Sequence, residues 1–296
     1  MPYRVTLKQP YVKVADFLSD AMSVSFAMYN QPALLPLWQV WWQAVVPYLK
    51  HEGIENMPNQ LCWPEDYIAH WRQPQLLLSQ ICSLPMIDHL KGQVQYVASP
   101  IFSTQLQTGS IYCSLLMVPE HSTVRNLADV RDAKVAINSS DSQSGFGILN
   151  HSFMQTGLAL ETMVAGYAES GAHVKSLSWL QQGKVDVAAI DCISYHFIAK
   201  HQPHLLIGLR SLGKTDYTQG HAWVTSITTS AQTISQLQKG LSKAMAAPEL
   251  AALQLVLGLV GVEIVPDSAL TRTAEMQKIT QAAGYDLRLM PKLAIS

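Results

Sequence analysis

Short apolar runs alternate with amphipathic helical patterns along most of this chain, and this alternation limits the possible folds more than any other feature. In the first part of the chain, strand patterns lie at residues 22–29, 60–63, 76–81 and 94–98, and helical patterns lie at 33–52 and 64–71. Such a βαβαβ order predicts a parallel sheet that is covered by helices.

A second α/β series follows the strand-like run at 111–118. It consists of predicted helices at 124–131, 145–156, 173–182 and 192–200 and predicted strands at 134–137 and 185–190. The run at 222–226 mirrors the run at 111–118, helical patterns continue to about residue 259, and a last helix is predicted near 269–283.

Two α/β lobes joined by two crossing strands account for this order of elements. We expect one lobe to contain residues 20–116 and 224–296, and the other to contain residues 117–223. In folds of this kind a ligand binds in the crevice at the carboxyl ends of the strands. The sequence therefore predicts a ligand cleft between the two lobes.

The composition is that of a globular protein with a large core, since 48% of the 296 residues are hydrophobic and 14% are charged. The net charge of −1 and the absence of a basic stripe argue against nucleic acid as a partner. The longest apolar run, residues 250–262, is too short for a membrane span and contains two glycines.

The N-terminal residues 1–10 contain neither an apolar core run nor a cleavage site, so no signal peptide is expected there. The chain as it stands is expected to be cytoplasmic, and periplasmic if its true start lies elsewhere. The compartment is left open.

The four cysteines are dispersed and contain no Cys-x-x-Cys pair, so neither a zinc site nor a redox dithiol is expected. We expect no metal and no cofactor. One disulfide is possible among Cys62, Cys82, Cys113 and Cys192, and the sequence does not choose the pairing.

The turn at residues 138–146 reads Asn-Ser-Ser-Asp-Ser-Gln-Ser-Gly-Phe and joins a predicted strand to a predicted helix. A Ser/Gly-rich turn that opens a helix directs backbone N–H groups, hydroxyls and the positive end of the helix dipole to one spot. That arrangement binds a phosphate-like anion, although an ordinary helix N-cap has the same composition.

Two further polar groups are predicted to lie near this turn. Ser170 is a candidate cap for the helix at 173–182, which places His173 in the first turn, where it can donate to an anion. Asp191 ends a predicted strand at the edge where ligands bind, and it either accepts from a ligand hydroxyl or caps the next helix.

Catalytic signatures are weak in this chain. It contains no Gly-x-Ser-x-Gly elbow, no His-Glu-x-x-His motif and no phosphate-binding Gly-x-x-x-x-Gly-Lys-Ser/Thr loop. Ten histidines and many serines make accidental Ser/His/Asp sets unavoidable. The tryptophans at 38, 41, 42 and 71 lie at helical spacing or beside strands, which favours a core position over a stacking platform.

Several of these motifs, in this order and spacing, resemble the phosphate/phosphonate/phosphite-binding proteins of ABC transporters, and in particular the stand-alone members of that family. The resemblance covers roughly residues 22–230 and depends on the segments 28–29, 77–82, 112–114, 126–129, 142–146, 170–173 and 186–191. It implies a type II periplasmic-binding-protein fold that closes on an oxyanion.

The resemblance also implies which residues contact the ligand. The family's Ser-x-Ser-Gly turn corresponds to Ser142, Gln143, Ser144 and Gly145, and Gln143, where Thr is common, is expected to supply only its backbone N–H. The family histidine corresponds to His173, and the tyrosine before the crossing strand to Tyr112. Further candidates within or beside matching motifs are Tyr29, Tyr67, Gln80, Asp191 and His221.

The chain departs from the family at three places. Aminophosphonate binders carry an acidic residue after the glycine that here is Gly220, but this chain has His221, which disfavours a ligand with an ammonium group. Stand-alone relatives read Gln-Thr-Cys-Gly and have a Gly-Cys-x-Gly loop, whereas residues 80–83 read Gln-Ile-Cys-Ser and 106–109 read Leu-Gln-Thr-Gly.

The function expected from the sequence is capture of a small phosphonate-, phosphite- or phosphate-like oxyanion by a solute-binding protein that is not an enzyme. An ABC permease or a sensor protein is a possible partner. Two alternatives stay open: a sensory ligand-binding module, and an enzyme on the same scaffold that resembles a thiamine-pyrimidine synthase.

Overall fold

The computed structural model describes residues 22–295 of the chain. Its strands are β1 (Ser23–Ser25), β2 (Leu76–Ile81), β3 (Val94–Phe102), β4 (Ile111–Tyr112), β5 (Ser114–Pro119), β6 (Ala133–Ile137), β7 (Val164–Glu169), β8 (Val187–Asp191), β9 (Leu209–Lys214), β10 (Thr218–Gln219), β11 (Ala222–Ser226) and β12 (Leu259–Glu263).

The α-helices within the same residues cover both sheets. They are α1 (Leu35–His51), α2 (Tyr67–Trp71), α3 (Ser83–Ile87), α4 (Ile148–Gln155), α5 (Leu160–Met163), α6 (His173–Gln181), α7 (Cys192–His201), α8 (Ala231–Met245), α9 (Ala251–Val256) and α10 (Asp267–Ala282). None of the helices in the described range is long and apolar enough to cross a membrane.

The strands form two five-stranded sheets, one in each lobe. The first has the order β1-β2-β11-β3-β12, and the second has the order β7-β6-β8-β5-β9. Parallel pairs lie at β1–β2 in the first sheet and at β6–β7 and β6–β8 in the second. Because parallel strands end at the same edge of a sheet, the loops that follow them are brought together.

A short antiparallel ribbon of β4 and β10 joins the two lobes, with Tyr112 opposite Thr218 and Ile111 opposite Gln219. Gly220 follows this ribbon, and a Cβ atom there would lie 2.5 Å from the carbonyl oxygen of Ser110. The backbones therefore approach each other at this hinge more closely than any side chain allows.

The core of the first lobe is built on aromatic residues of α1. Trp38, Trp41 and Trp42 are fully buried, and Trp41 packs against Trp223 of β11 with 5.8 Å between ring centroids. Phe26 stacks on Trp38 at 5.4 Å. Trp71 is buried as well, so the prediction that all four tryptophans belong to the core is confirmed.

The C-terminal part of the chain contacts both lobes. Helix α10 packs against α3, α4 and β10. After it, the backbone runs along β7, where the N–H of Tyr167 donates to the carbonyl of Pro291 at 2.9 Å and the N–H of Leu293 donates to that of Tyr167 at 2.7 Å. These residues thus lie on the second sheet, although the expected division counts them with the first lobe; the lobe boundaries stay a prediction.

Most predicted elements are present, with ends shifted by a few residues. The strand predicted at 22–29 ends at Ser25 and continues as a 3₁₀ turn (Ala27–Tyr29), and the helix predicted at 124–131 is only a 3₁₀ turn (Leu127–Asp129). Residues 60–63 form no strand, although the backbone N–H of Cys62 donates to the carbonyl of Val24 at 2.9 Å.

Four strands of the described chain were not predicted, namely β7, β9, β12 and the short β10 of the ribbon between the lobes. β7 and β9 lie at the two edges of the second sheet, and β12 lies at an edge of the first. β12 follows the leucine-rich helix α9, and Gly258, with a φ of +66°, lies between the two. Periodicity alone does not separate such a short apolar strand from the helical pattern before it.

The prediction for residues 1–10 lies outside the described residues.

The contact between α1 and α8 gives a test of the packing in the first lobe. A Cβ atom on Gly240 would lie 2.7 Å from Cδ2 and 3.1 Å from Cα of Leu49. We expect Gly240→Ala to lower the free energy of unfolding by about 1–3 kcal/mol, although alanine is the better helix former. Urea unfolding measures this change, with Ser242→Ala on the exposed face of α8 as the control; an unchanged or raised midpoint for Gly240→Ala would contradict the packing.

Candidate functional site

A cleft of about 1060 Å³ lies between the lobes and is lined by residues of both. From the second lobe it receives the loops that follow β6, β7 and β8, the three strands that run parallel. From the first lobe it receives the segments after β1 and β2. The cleft thus lies at the carboxyl ends of strands in both sheets, as predicted.

The turn after β6 has the helix-opening structure that the sequence predicts. Ser142 is the N-cap, and its hydroxyl oxygen accepts from the N–H of Gly145 at 3.1 Å. The helix begins as a π-helical turn (Gln143–Gly147) before α4, and π-helical turns are frequent at functional sites. A Cβ atom on Gly145 would lie 1.8 Å from Oδ1 of Asn138, so only glycine fits there.

Ser144 and His173 are brought together by the loops after β6 and β7. The backbone N–H groups of Ser170 and Gly171 donate to the carbonyls of Ile137 and Asn138, both at 2.8 Å, which ties one loop to the other. As a result, Oγ of Ser144 lies 3.0 Å from Nε2 of His173.

Ser142 and Asp191 complete this cluster. Oγ of Ser142 is 3.3 Å from Oγ of Ser144, and Oδ2 of Asp191 is 4.0 Å from Nε2 of His173. Burial lowers the pKa of His173, and the nearby Asp191 carboxylate opposes that change only in part. The imidazole is therefore uncharged at neutral pH and acts through hydrogen bonds.

The cap of helix α6 differs from the prediction. His173 is in the first turn, as expected, but the N-cap is Ala172, which makes no side-chain cap hydrogen bond. The Ser170 hydroxyl instead lies 2.7 Å from Oγ of Ser176 and donates to the carbonyl of Ile137 at 3.1 Å. Ser170 therefore stabilises the loop and does not cap the helix, because the chain makes an extra turn at Gly171.

Asp191 has the role of a helix cap that the sequence left as one alternative. Its Oδ1 accepts from the N–H groups of Ile193 at 2.7 Å and Ser194 at 3.1 Å, and its Oδ2 accepts from the Ser194 hydroxyl. The carboxylate also lines the cleft. Its charge is thus held at the cleft wall by the N-terminus of α7.

Tyr29 and His221 form a buried hydrogen-bonded pair on the opposite side of the cleft. The Tyr29 hydroxyl lies 2.8 Å from Nδ1 of His221, and both residues line the cleft. Burial lowers the pKa of His221 to about 4 and raises the pKa of Tyr29 well above its usual value. Both side chains are therefore uncharged at neutral pH.

Gln143 does not line the cleft. Its side chain points toward the hinge and α10, where Nε2 donates to Oγ1 of Thr218 at 3.3 Å and Oε1 accepts from Nε2 of Gln277 at 3.1 Å. Its backbone N–H donates to Sγ of Cys82, across the cleft, at 3.3 Å. In this conformation the N–H expected to bind a ligand is thus occupied by the thiol of Cys82.

Two other candidates lie behind the cleft wall. Tyr112 is fully buried, and its ring centroid is 5.4 Å from that of His221. Its hydroxyl makes no hydrogen bond of ordinary geometry within residues 22–295, although the neighbouring Ser144 offsets part of the rise that burial causes in its pKa. Gln80 is buried and neither polar atom of its amide has a partner in the described chain.

Tyr67 lines the cleft near its first-lobe rim. Its hydroxyl accepts from Nδ2 of Asn30 at 3.3 Å and donates to the carbonyl of Ala27 at 3.4 Å, and its ring stacks on Trp71. Tyr67 therefore lies at the cleft but outside the serine–histidine cluster, and a role in ligand binding stays a prediction.

Several cleft residues were not candidates from the sequence. They are Asn138, Asp141, Glu169, Ser194 and Lys292, together with Cys82. Cys82 lies in a quoted motif and Asn138 begins the predicted turn, so a signal was present for both. Lys292 had none, because it reaches the cleft only through the pairing of the C-terminal segment with β7, and there it binds Glu169 at 2.9 Å.

The two buried histidines with the lowest pKa values predict how stability changes with pH. Burial lowers the pKa of both His221 and His70 to about 4, whereas an unfolded histidine has a pKa near 6.5. Between pH 6.5 and 4 the unfolded chain binds more protons, so the protein loses stability as the pH falls through this range.

The free energy of unfolding of the wild-type protein should fall between pH 7 and pH 4.5. In His221→Gln this fall should be smaller by roughly 2 kcal/mol, because the variant lacks the buried imidazole. Urea unfolding at the two pH values measures it. His89→Gln, on an exposed residue, is the control and should keep the wild-type loss. If His221→Gln also kept it, His221 would not be a buried neutral histidine.

The sequence matches a family model described as "ABC transporter, phosphonate, periplasmic substrate-binding protein" over residues 81–270, which is more than half of the chain. No curated protein matches the sequence. The match confirms the resemblance inferred from the motifs.

Solved structures share the fold at low identity. PhnD1 from Prochlorococcus marinus in complex with methylphosphonate has 12% identity and a TM-score of 0.73, covering 89% of this chain and 99% of that chain. A binding protein component of an ABC phosphonate transporter from Pseudomonas aeruginosa has 14% identity and a TM-score of 0.72, covering 90% of this chain and 88% of that chain. XAC2383 from Xanthomonas citri bound to chloride has 15% identity and a TM-score of 0.70, covering 90% of this chain and 99% of that chain.

These likenesses show the fold, which is the predicted type II periplasmic-binding-protein fold with two α/β lobes. The matched family consists of substrate-binding proteins and is not an enzyme family. The chain therefore belongs to the family of periplasmic substrate-binding proteins of phosphonate ABC transporters, and it is a solute-binding protein.

Proposed function

We propose that this protein captures a small phosphonate-, phosphite- or phosphate-like oxyanion by closing its two lobes around it. The observation that carries the proposal is a cluster of three polar groups at the start of a helix. Oγ of Ser144 lies 3.3 Å from Oγ of Ser142 and 3.0 Å from Nε2 of His173. Hydroxyl and imidazole donors at a helix N-terminus are a suitable set for an oxyanion.

The electrostatics of the cleft support an ion of low charge. Asp141, Glu169 and Asp191 line the cleft, and the nearby cation, Lys292, is paired with Glu169. His173 is uncharged at neutral pH because burial lowers its pKa. The anion is therefore held by hydrogen bonds and the helix dipole, and the acidic lining opposes a multiply charged ligand.

The placement of the donors on both lobes supports closure as the binding mechanism. The serines and His173 belong to the second lobe, whereas Tyr29 and Tyr67 belong to the first. His221 lies next to the hinge ribbon of β4 and β10. A ligand that contacts both walls favours the closed arrangement by its differential contacts.

His221 supports a ligand without an ammonium group. Its ring is buried, uncharged at neutral pH and hydrogen-bonded to Tyr29, so it offers no carboxylate to a cationic substituent. The relative PhnD1 was solved with methylphosphonate, a ligand of this class, and XAC2383 with chloride. An ABC permease or a sensor protein is the proposed partner of the closed form.

The Ser144–His173–Asp191 cluster supports binding and not catalysis. In a catalytic triad the carboxylate binds Nδ1 of the histidine while the serine contacts Nε2. Here the serine and the carboxylate both approach Nε2, and Nδ1 makes no hydrogen bond of ordinary geometry in the described chain, although the nearby backbone of Ala189 offsets part of the fall that burial causes in the pKa of the ring. The carboxylate is also engaged as the cap of α7. We therefore propose no enzymatic activity.

Isothermal titration with methylphosphonate, phosphite, phosphate, sulfate and 2-aminoethylphosphonate tests the proposal. We expect at least one of the first three to bind, and 2-aminoethylphosphonate to bind more weakly than methylphosphonate. Ser144→Ala and His173→Ala should each raise the dissociation constant of the ligand that binds by about 10- to 100-fold, because each removes a hydrogen bond to a charged group.

Ser178→Ala is the matched control, since Ser178 lies on the same helix as His173 and its hydroxyl binds Gln182 outside the cleft. It should leave the affinity unchanged. If none of the oxyanions bound the wild-type protein, the proposed ligand class would be wrong. If one bound and both cleft variants kept its affinity, the proposed site would be wrong.

A further inference from the structure

Cys113 and Cys192 face each other at the end of a strand ladder. Strand β5 pairs antiparallel with β8, with Ser114 opposite Asp191 and Leu115 opposite Ile190. One further step along the ladder places Cys113 opposite Cys192, and the N–H of Cys192 donates to the carbonyl of Cys113 at 3.0 Å. The two cysteines are thus direct cross-strand neighbours.

The two thiols also occupy the same side of this ladder. Sγ of Cys113 lies 3.6 Å from the carbonyl oxygen of Leu106, and Sγ of Cys192 lies 3.8 Å from the same oxygen. The interaction with Cys192 also lowers the pKa of Cys113, in keeping with their shared position beside this oxygen. Both side chains are buried, and neither is bonded to another sulfur in this structure.

The other two cysteines are separate from this pair. Sγ of Cys62 donates to the carbonyl of Val24 at 3.3 Å and lies 3.9 Å from Nδ1 of His70. Sγ of Cys82 accepts from the N–H of Gln143 across the cleft. The structure therefore selects one pairing among those that the sequence left open.

We propose that Cys113 and Cys192 form an intramolecular disulfide when the chain folds under oxidising conditions. Opposite residues that are joined by a ladder hydrogen bond, as these two are, have Cα atoms about 5.5 Å apart, and a disulfide requires about 4.4–6.8 Å. The bond therefore needs only local adjustment of the two side chains.

The chemistry is thiol–disulfide exchange with a small disulfide such as oxidised glutathione. The thiolate of one cysteine attacks a sulfur of the oxidant, releases one reduced thiol and forms a mixed disulfide. The second thiolate then attacks the mixed disulfide and releases the other reduced thiol. Two protein thiols lose two electrons and two protons, and one oxidant disulfide becomes two thiols. Because both side chains are buried, the exchange takes place before the core has closed.

The cross-link would join the start of α7 to the strand that leaves the hinge ribbon. Cys113 connects Tyr112 of the hinge ribbon to β5, and Cys192 directly follows the cap residue Asp191 at the start of α7. Helix α7 also packs against the first lobe, where the ring of Phe197 is 5.6 Å from that of Tyr29. The disulfide would therefore fix the start of α7 to the hinge strand.

Peptide mapping of the full-length protein, refolded with a mixture of oxidised and reduced glutathione, tests the proposal. Free thiols are alkylated in denaturant without reduction, and trypsin then places each cysteine in a separate peptide: 51–72, 73–91, 92–125 and 185–200. We expect the linked pair to be 92–125 with 185–200, and the other two peptides to be alkylated. Alkylation of all four peptides, or any other linked pair, would overturn the proposal.

Thermal unfolding of the same material gives a second measurement. Reduction with dithiothreitol should lower the Tm of the oxidised protein by about 5 °C, since the bond closes a long loop. Cys113→Ser and Cys192→Ser should each abolish the linked peptide and the response to dithiothreitol, and Cys62→Ser, the control, should keep both. An oxidised wild-type protein whose Tm did not respond to dithiothreitol would contradict the stabilising role of the bond.

Discussion

An anion that leaves water for a cleft needs donors that replace its hydration, and the donors that we propose for the second lobe come from two of three loops that meet at one edge of its sheet. The contact between Ser144 and His173, at 3.0 Å, joins two of those loops, and Asp191 ends the strand that leads to the third. The arrangement depends on β6, β7 and β8 running parallel, because only then do their carboxyl ends meet. Helices α6 and α7 begin at the same edge, because they directly follow the loops after β7 and β8.

Burial decides the charge of this cleft. His173 and His221 are both uncharged at neutral pH because desolvation lowers their pKa values, and Tyr29 stays protonated for the same reason. Carboxylates that reach the cleft are engaged in hydrogen bonds: Asp191 caps α7, and Glu169 binds Lys292. In the function that we propose, the site therefore selects its ligand by directed hydrogen bonds and not by net positive charge, which suits a small oxyanion bound within closed lobes.

Much of the fold could be predicted from the sequence because its parallel strands and long helices carry strong periodic patterns. The turn at 138–146, the first-turn position of His173 and the strand-end position of Asp191 could be predicted for the same reason. The Tyr29–His221 pair could not be derived from any local pattern, since 192 positions separate its members. Nor could the direction of the Gln143 side chain, which is set by Thr218 and Gln277.

A crystal structure of the protein with methylphosphonate tests the central claim most directly, which is that the serine–histidine cluster holds the oxyanion between closed lobes. The account predicts phosphonate oxygens within hydrogen-bond distance of Oγ of Ser142, Oγ of Ser144 and Nε2 of His173, with Tyr29 or Tyr67 of the first lobe closing the opposite side. A phosphonate bound at the rim beside Lys292, with the Ser144–His173 hydrogen bond intact and no contact to either serine, would contradict it.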